Sequence, residues 1–207
     1  KDPKLNKQNF NHAKINLKTE NQLLKISSCN IKNNTEELEL TGIYSNNSNS
    51  NLNLIINNML LQRSSIFKFT QPEFFNFNNG IISTEINYKQ TKNTPLTISG
   101  KSQLKNITLF KNEINTLDIN FNSIKDNISF EEITAKFKNN YIKASGLYNT
   151  KTKKLNLNIF PKSYVFLETI KTPFFQSSPI KGKVNINDTT ITFDQSKIKY
   201  KAKINSN

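Results

Sequence analysis

Leu155-Asn156-Leu157-Asn158-Ile159 alternates apolar and polar residues, and so does most of the chain. The pairs Ile15, Leu17; Leu24, Ile26; Leu38, Leu40; Ile107, Leu109; and Ile119, Phe121 are each split by one polar residue, and Leu52, Leu54 and Ile56 keep the same parity. Successive side chains of a strand point to opposite faces, so a period of two specifies strands with one dry face and one wet face. Turn formers separate the runs: Lys32-Asn33-Asn34-Thr35, Asn46-Asn47-Ser48-Asn49, Asn78-Asn79-Gly80, Lys138-Asn139-Asn140 and Asn149-Thr150-Lys151. Strands therefore recur roughly every ten to fifteen residues, and the expected fold is an all-β meander. The best candidate for a short helix is the stretch from Ser163 to Phe175, bracketed by Pro161 and Pro173.

The chain also repeats itself. Shifted by 104 positions, residues 12–44 face residues 116–148 without a gap, which sets Ile15 and Leu17 on Ile119 and Phe121. Thr41-Gly42-Ile43-Tyr44 falls on Ser145-Gly146-Leu147-Tyr148. With one residue lost in the turn, Leu52, Leu54 and Ile56 then meet Leu155, Leu157 and Ile159. Phe74-Phe75 recurs as Phe174-Phe175, and Gly80 as Gly182. Coincidence in a biased composition is the competing explanation, but the Gly-Tyr and Phe-Phe landmarks stay in order. The expected organisation is a lead-in at residues 1–11, one repeat at 12–115 and a second, truncated repeat at 116–207.

Composition narrows the architecture. Hydrophobic residues make up 35% of 207, with no Trp. That is little for filling a thick two-sheet interior, and it suits a sheet with a single dry face. No run approaches the roughly eighteen apolar residues of a membrane-spanning helix. The chain opens on Lys and shows no signal peptide, so it is expected to be part of something longer. One cysteine excludes an internal disulfide framework. The net charge of +14 raises the question of nucleic acid. The lysines are spread over nearly every segment and no RNA-binding aromatic signature occurs, so a solvated outer face is the favoured reading and no nucleic-acid partner is expected. The run from Lys197 to Ile204 alternates lysines with other residues, a pattern that protects terminal edge strands from unwanted pairing.

Catalytic chemistry is not expected. His12 is the only histidine and its repeat counterpart is Thr116. Cys29 stands where Ile133 stands in the second copy, as a small core residue does. Glu36-Glu37 and Glu131-Glu132 are adjacent in strands, so each pair diverges to opposite faces. No phosphate loop, metal-spaced cluster or nucleophile elbow is present, and no cofactor is expected.

A one-sided sheet can shelter its dry face by curling along its length into a trough. Strand twist allows this, and Gly42, Gly80, Gly146 and Gly182 are placed to permit the bends. The expected lining is Ile15, Leu17, Leu52, Leu54, Ile119, Phe121, Leu155, Leu157 and Ile159. Each repeat would lengthen the trough, as in solenoid-like arrays.

The pattern of aliphatic-x-aliphatic, small-Gly-aliphatic-Tyr, turn and Leu-x-Leu-x-aliphatic resembles the TamB/AsmA-like superfamily of envelope proteins. Pro95-Leu96-Thr97-Ile98-Ser99-Gly100 matches a further step of that family; Lys197-Ile198-Lys199-Tyr200-Lys201-Ala202 departs from it in the second copy. The resemblance covers most of residues 12–207. It implies an elongated, curved one-sided β-sheet, the β-taco, with a hydrophobic groove holding lipid acyl chains or an unfolded β-strand. It further implies a bridge between inner and outer membranes, in the periplasm or the plastid intermembrane space, serving lipid transfer or membrane-protein assembly and translocation. The implied partners are an outer-membrane barrel of the Omp85 type and further repeats of the same chain, with tethering to the inner membrane through a segment outside this sequence. The other expectation from the residues is an extracellular β-solenoid, such as an adhesin segment, whose sheet packs shut.

Overall fold

The computed structural model describes residues 4–5, 8–9, 11–45, 49–61, 80–109, 112–160, 163–166, 183–194 and 197–205. They contain strands and no α-helix. Two short strands, β1 (Lys4–Leu5) and β2 (Gln8–Asn9), pair only with each other. All the others form one open antiparallel sheet of thirteen strands. In chain order these are β3 (His12–Glu20), β4 (Leu23–Asn33), β5 (Glu36–Ser45), β6 (Ser50–Leu60), β7 (Ile81–Thr91) and β8 (Thr94–Leu109). They continue as β9 (Asn112–Ile124), β10 (Asn127–Phe137), β11 (Asn140–Asn149), β12 (Lys154–Ile159), β13 (Ser163–Phe166), β14 (Lys183–Asp194) and β15 (Lys197–Asn205). Every strand pairs with its neighbour in the chain, save that β12 and β13 lie end to end between β11 and β14. The thirteen strands thus occupy twelve columns, which at a spacing of about 4.8 Å span roughly 50 Å across the sheet.

The expected helix between Ser163 and Phe175 is corrected by β13. Val165 is buried and Ser163 fully so, and Ser163 Oγ accepts from Lys143 N at 2.9 Å and donates to Lys143 O. Alternate burial over four residues is strand behaviour. Residues 167–175 lie outside the described residues, as do Phe74-Phe75, Phe174-Phe175 and Gly182.

Local chemistry sets the hairpins. β3 and β4 are joined by Asn21-Gln22, both with positive φ (48° and 66°). That backbone matches the right-handed twist of the flanking strands. The turn into β10 carries Lys125 at φ 53°, and the turns opening β5 and β11 carry Asn34 and Lys138 at 51° each. Asn21 and Lys125 lie 104 residues apart, as do Asn34 and Lys138.

Register repeats at the same offset. Leu17 pairs with Ile26 and Asn16 with Ser28, so Ser27 is extra. Phe121 pairs with Phe130 and Asn120 with Glu132, so Glu131 is extra. Both are β-bulges, which bend the strand and increase its twist. Gly42 faces Ile26 and Leu52; Gly146 faces Phe130 and Leu157. One expected correspondence changes. Leu52 corresponds to Leu157 rather than Leu155, because the β11–β12 turn gains a residue relative to the β5–β6 turn. The difference is two positions along the strand, so the face assignment is unaffected.

The sealed core sits at one end of the strands, where the β4–β5, β8–β9 and β10–β11 turns lie. Leu61, Ile82, Leu104, Ile107, Ile114, Leu117 and Phe137 form a buried cluster, with Met59, Ile119, Ile133, Ala135 and Ile142 packed on it. Ile107 is only 1% exposed. Ile82 pairs with Leu104, Leu104 with Leu117, and Leu117 with Ala135, so one cross-strand row supplies much of the cluster.

Candidate functional site

Following Cα partners strand by strand gives the geometry of the dry face. One row runs Ile15, Cys29, Leu40, Leu54, Ile86, Gly100, Phe121, Phe130, Gly146, Leu157, Ile191. It crosses eleven strands with no polar side chain beyond the thiol. The next row toward the open end runs Leu17, Ile26, Gly42, Leu52, Tyr88, Ile98, Ser123, Ile128, Tyr148, Leu155. A third, nearer the sealed core, carries Leu38, Ile56, Thr84, Ser102, Ile119, Ile133, Ala144 and Ile159. Its two polar members satisfy each other: Thr84 and Ser102 hydroxyls lie 2.7 Å apart, and Thr84 also donates to Lys101 O.

All nine expected lining residues lie in these three rows, on one face. Their burial is uneven. Ile15 and Leu17 on the edge strand β3 are 55% exposed; Leu52, Leu54, Ile119, Phe121 and Leu157 are half-buried; Leu155 and Ile159 are buried. Sequence reasoning left out Ile86 and Phe130, which stand in the first row between the two repeats' landmark residues. Their signal was present in the alternation Ile82-x-Thr84-x-Ile86 and Ile128-x-Phe130, diluted by the hydroxyls and by the bulge at Glu131.

The glycines of the first row explain how large side chains fit there. A Cβ on Gly100 would stand 3.1 Å from the Phe121 ring and closer still to Glu85 O. A Cβ on Gly146 would stand 2.6 Å from Leu157 Cδ2 and from Asn156 O. Each glycine leaves room for its cross-strand neighbour to lie down along the face. Gly42 and Gly80 differ: φ of 132° and 110° puts them in backbone conformations that disfavour side chains. Gly146 has no such φ and serves close approach.

The wet face is amide- and hydroxyl-rich. Thr41, Asn53, Asn87, Ser99, Asn122, Ser129, Leu147 and Asn156 form its central row. Thr192 Oγ1 donates to Asn156 Oδ1 at 2.9 Å, and Gln103 Nε2 to Asp118 Oδ1 at 2.7 Å. Lys32 Nζ sits 2.8 Å from Glu37 Oε1, and hydrogen bonds from Lys32 and Asn30 hold the Glu37 carboxyl below the usual carboxylate range. The Glu132 carboxylate, 2.9 Å from Lys143 Nζ, raises the lysine. These pairs are open to solvent and contribute little stability. Glu36 is used structurally, its Oε1 accepting from Leu60 N at 3.0 Å beside the irregularity in β6. The simple divergence expected of Glu131-Glu132 is corrected, since the bulge at Glu131 interrupts alternation there.

Among the described residues no group of three or more His, Cys, Asp or Glu is arranged to hold a metal ion. Among the described residues no helix is long and apolar enough to cross a membrane, which says nothing of crossing by strands. No protein-family model, no curated protein and no solved structure matches the chain.

Proposed function

We propose that the chain is a non-enzymatic segment of an envelope protein whose dry sheet face binds lipid acyl chains along its open rows. The observation that carries this reading is the first row: aliphatic, aromatic and glycine positions cross eleven strands in line, and their larger side chains stay partly exposed while the cluster at one end of the strands is sealed. An acyl chain laid across the strands would take the remaining apolar surface out of water, at about 25 cal/mol per Å². The wet face, with its amides and lysines, keeps the segment soluble in an aqueous gap. Bridging of two membranes, and a place in the periplasm or the plastid intermembrane space, rest on the resemblance to TamB/AsmA-like proteins; further sheet of the same kind would lengthen the same path.

A closed solenoid, the adhesin reading, would bury Leu54, Phe121 and Leu157 as fully as Ile107. Their partial exposure favours the trough. The test is a photo-crosslinking residue at position 157 and, separately, at 156, irradiated with phospholipid vesicles. Lipid adducts concentrated at position 157 are expected. Equal labelling, or labelling at 156 alone, would overturn the facing and with it the proposal.

A further inference from the structure

From β3 to β12 charge is segregated along the strand axis. The described residues of these strands and their turns carry ten carboxylates, and eight lie between the first row and the sealed end: Glu36, Glu37, Glu39 and Glu85 on β5 and β7, and Glu113, Asp118, Glu131 and Glu132 on β9 and β10. Seven lysines share that side, two of them in the ion pairs Lys32–Glu37 and Lys143–Glu132, so it holds no excess of positive charge. Between the first row and the opposite, open end the carboxylates are Glu20 and Asp126 alone. Against them stand Lys92, Lys125, Lys151 and Lys153 in the turns, and Lys18, Lys25, Lys89 and Lys154 in the strands beside those turns. All eight lysines are exposed, and the one ion pair among these described residues joins Lys18 to Glu20 at 3.2 Å. On β14 and β15 the ladder sets Asp194 opposite Lys154, then Lys197 opposite Asp194 and Lys199 opposite Thr192, at the same end.

The dry face grades in the same direction. Its sealed cluster is aliphatic apart from Phe137, and the first row is apolar. The dry-face tyrosines with described side chains, Tyr44, Tyr88 and Tyr148, all stand on the open side of that row. A tyrosine presents an apolar ring and a polar tip, which suits a boundary between an apolar surface and water. The Tyr88 hydroxyl donates to Gln90 Oε1 at 2.7 Å, and Tyr44 is 40% exposed. The turn lysines lie just past this band: Lys125 is two residues beyond Ser123 of the second row, about 7 Å along an extended strand. From the sealed end outward the order is aliphatic, then aromatic with hydroxyls, then cationic. That is the order of acyl chain, glycerol ester and phosphate in a phospholipid.

We propose that the open end of the strands is the headgroup site of the trough, and that it selects phospholipids whose headgroup carries a net negative charge. The proposal rests on the acyl-binding reading of the dry face and names the class of lipid that face takes. The turn lysines attract the phosphate at the rim while the acyl chains lie on the apolar rows inside it. A zwitterionic headgroup brings its own cation beside the phosphate, which the lysines repel; an anionic one does not. The site is open to water, so its selectivity falls as salt screens it.

Native mass spectrometry of the intact 207-residue chain tests it, with equimolar phosphatidylglycerol and phosphatidylcholine of identical acyl chains supplied from mixed micelles, so that no bilayer is present. The expected result is an adduct ratio of at least about fivefold in favour of phosphatidylglycerol at low salt, narrowing at about 0.5 M salt. The variant Lys92→Gln, Lys125→Gln, Lys151→Gln, Lys153→Gln is expected to take the two lipids about equally. The charge-matched variant Lys14→Gln, Lys101→Gln, Lys105→Gln, Lys136→Gln, altered on the sealed side, is expected to keep the preference. Excess glycerol 3-phosphate is expected to leave the lipid adducts in place. Equal binding of the two lipids by the unsubstituted chain would overturn the headgroup site and leave the trough standing; no adduct with either lipid would overturn the trough and the headgroup site together. An equal fall in the two variants would reduce the preference to net charge, and displacement by glycerol 3-phosphate would assign the rim to free phosphate esters; either result would overturn the proposal.

Discussion

At the scale of single residues, glycine does two different jobs in this sheet. At Gly42 and Gly80 the backbone itself demands it. At Gly146 and Gly100 the demand comes from across the strand pair, where a backbone oxygen, with a larger side chain beside it, stands in the space a Cβ would need. Gly146→Val is predicted to cost about 1–3 kcal/mol, because the added atoms meet both Leu157 Cδ2, which can rotate, and Asn156 O, which cannot without moving the β11–β12 ladder. Urea denaturation checks it; an unchanged midpoint would mean that the pair of strands yields without cost. The importance of Gly146 was legible from its recurrence with Gly42. The reason was not, since repeat position carries no information about φ, and the two glycines differ there. Gly100 was legible only as the end of a Pro-to-Gly step, and its place beneath the Phe121 ring depends on a strand pairing that sequence alone leaves open.

At the scale of elements, period-two alternation was sufficient for strand identity and for which face each strand presents. It was silent on where along the strands the core lies. Ile107 and Leu54 look alike in sequence, each an aliphatic residue in an alternating run, yet Ile107 is 1% exposed and Leu54 half-buried. The difference arises because the rows toward the β8–β9 turn converge on one cluster while the first row stays open. Ile107→Ala is therefore predicted to cost about 2–5 kcal/mol, and Leu54→Ala well under half of that. Matched thermal or chemical melts of the two variants check the order, and equal losses would mean that the dry face is sealed throughout. The misread element, Ser163–Phe166, failed for a related reason. Prolines bracket helices and strands alike, and four residues are too few for periodicity to decide between them. The hairpin after Gly146 was misaligned by two positions because its polar turn has no apolar landmark to anchor the gap; only the ladder fixes it.

At the scale of the whole molecule, two copies of one six-column unit share a single sheet, with register, bulge and turn conformation repeating together. Such a unit leaves its dry face for whatever lies along it, and adding units lengthens that face without changing its chemistry. Low hydrophobic content fits this plan: the chain has the aliphatic residues to seal one end of the strands and to pave the rest, and few beyond. The central claim is that the paved part is an open lipid-binding trough. Native mass spectrometry of the purified chain titrated with a diacyl phospholipid tests it most directly, run beside Leu157→Asp and Asn156→Asp. The account predicts discrete lipid-mass additions to the unsubstituted chain and to Asn156→Asp, and their loss in Leu157→Asp with its β-sheet circular dichroism retained, because in an open trough the new carboxylate reaches water. Absence of lipid adducts on the unsubstituted chain, or unfolding of Leu157→Asp as expected for a charge placed in a closed core, would contradict it.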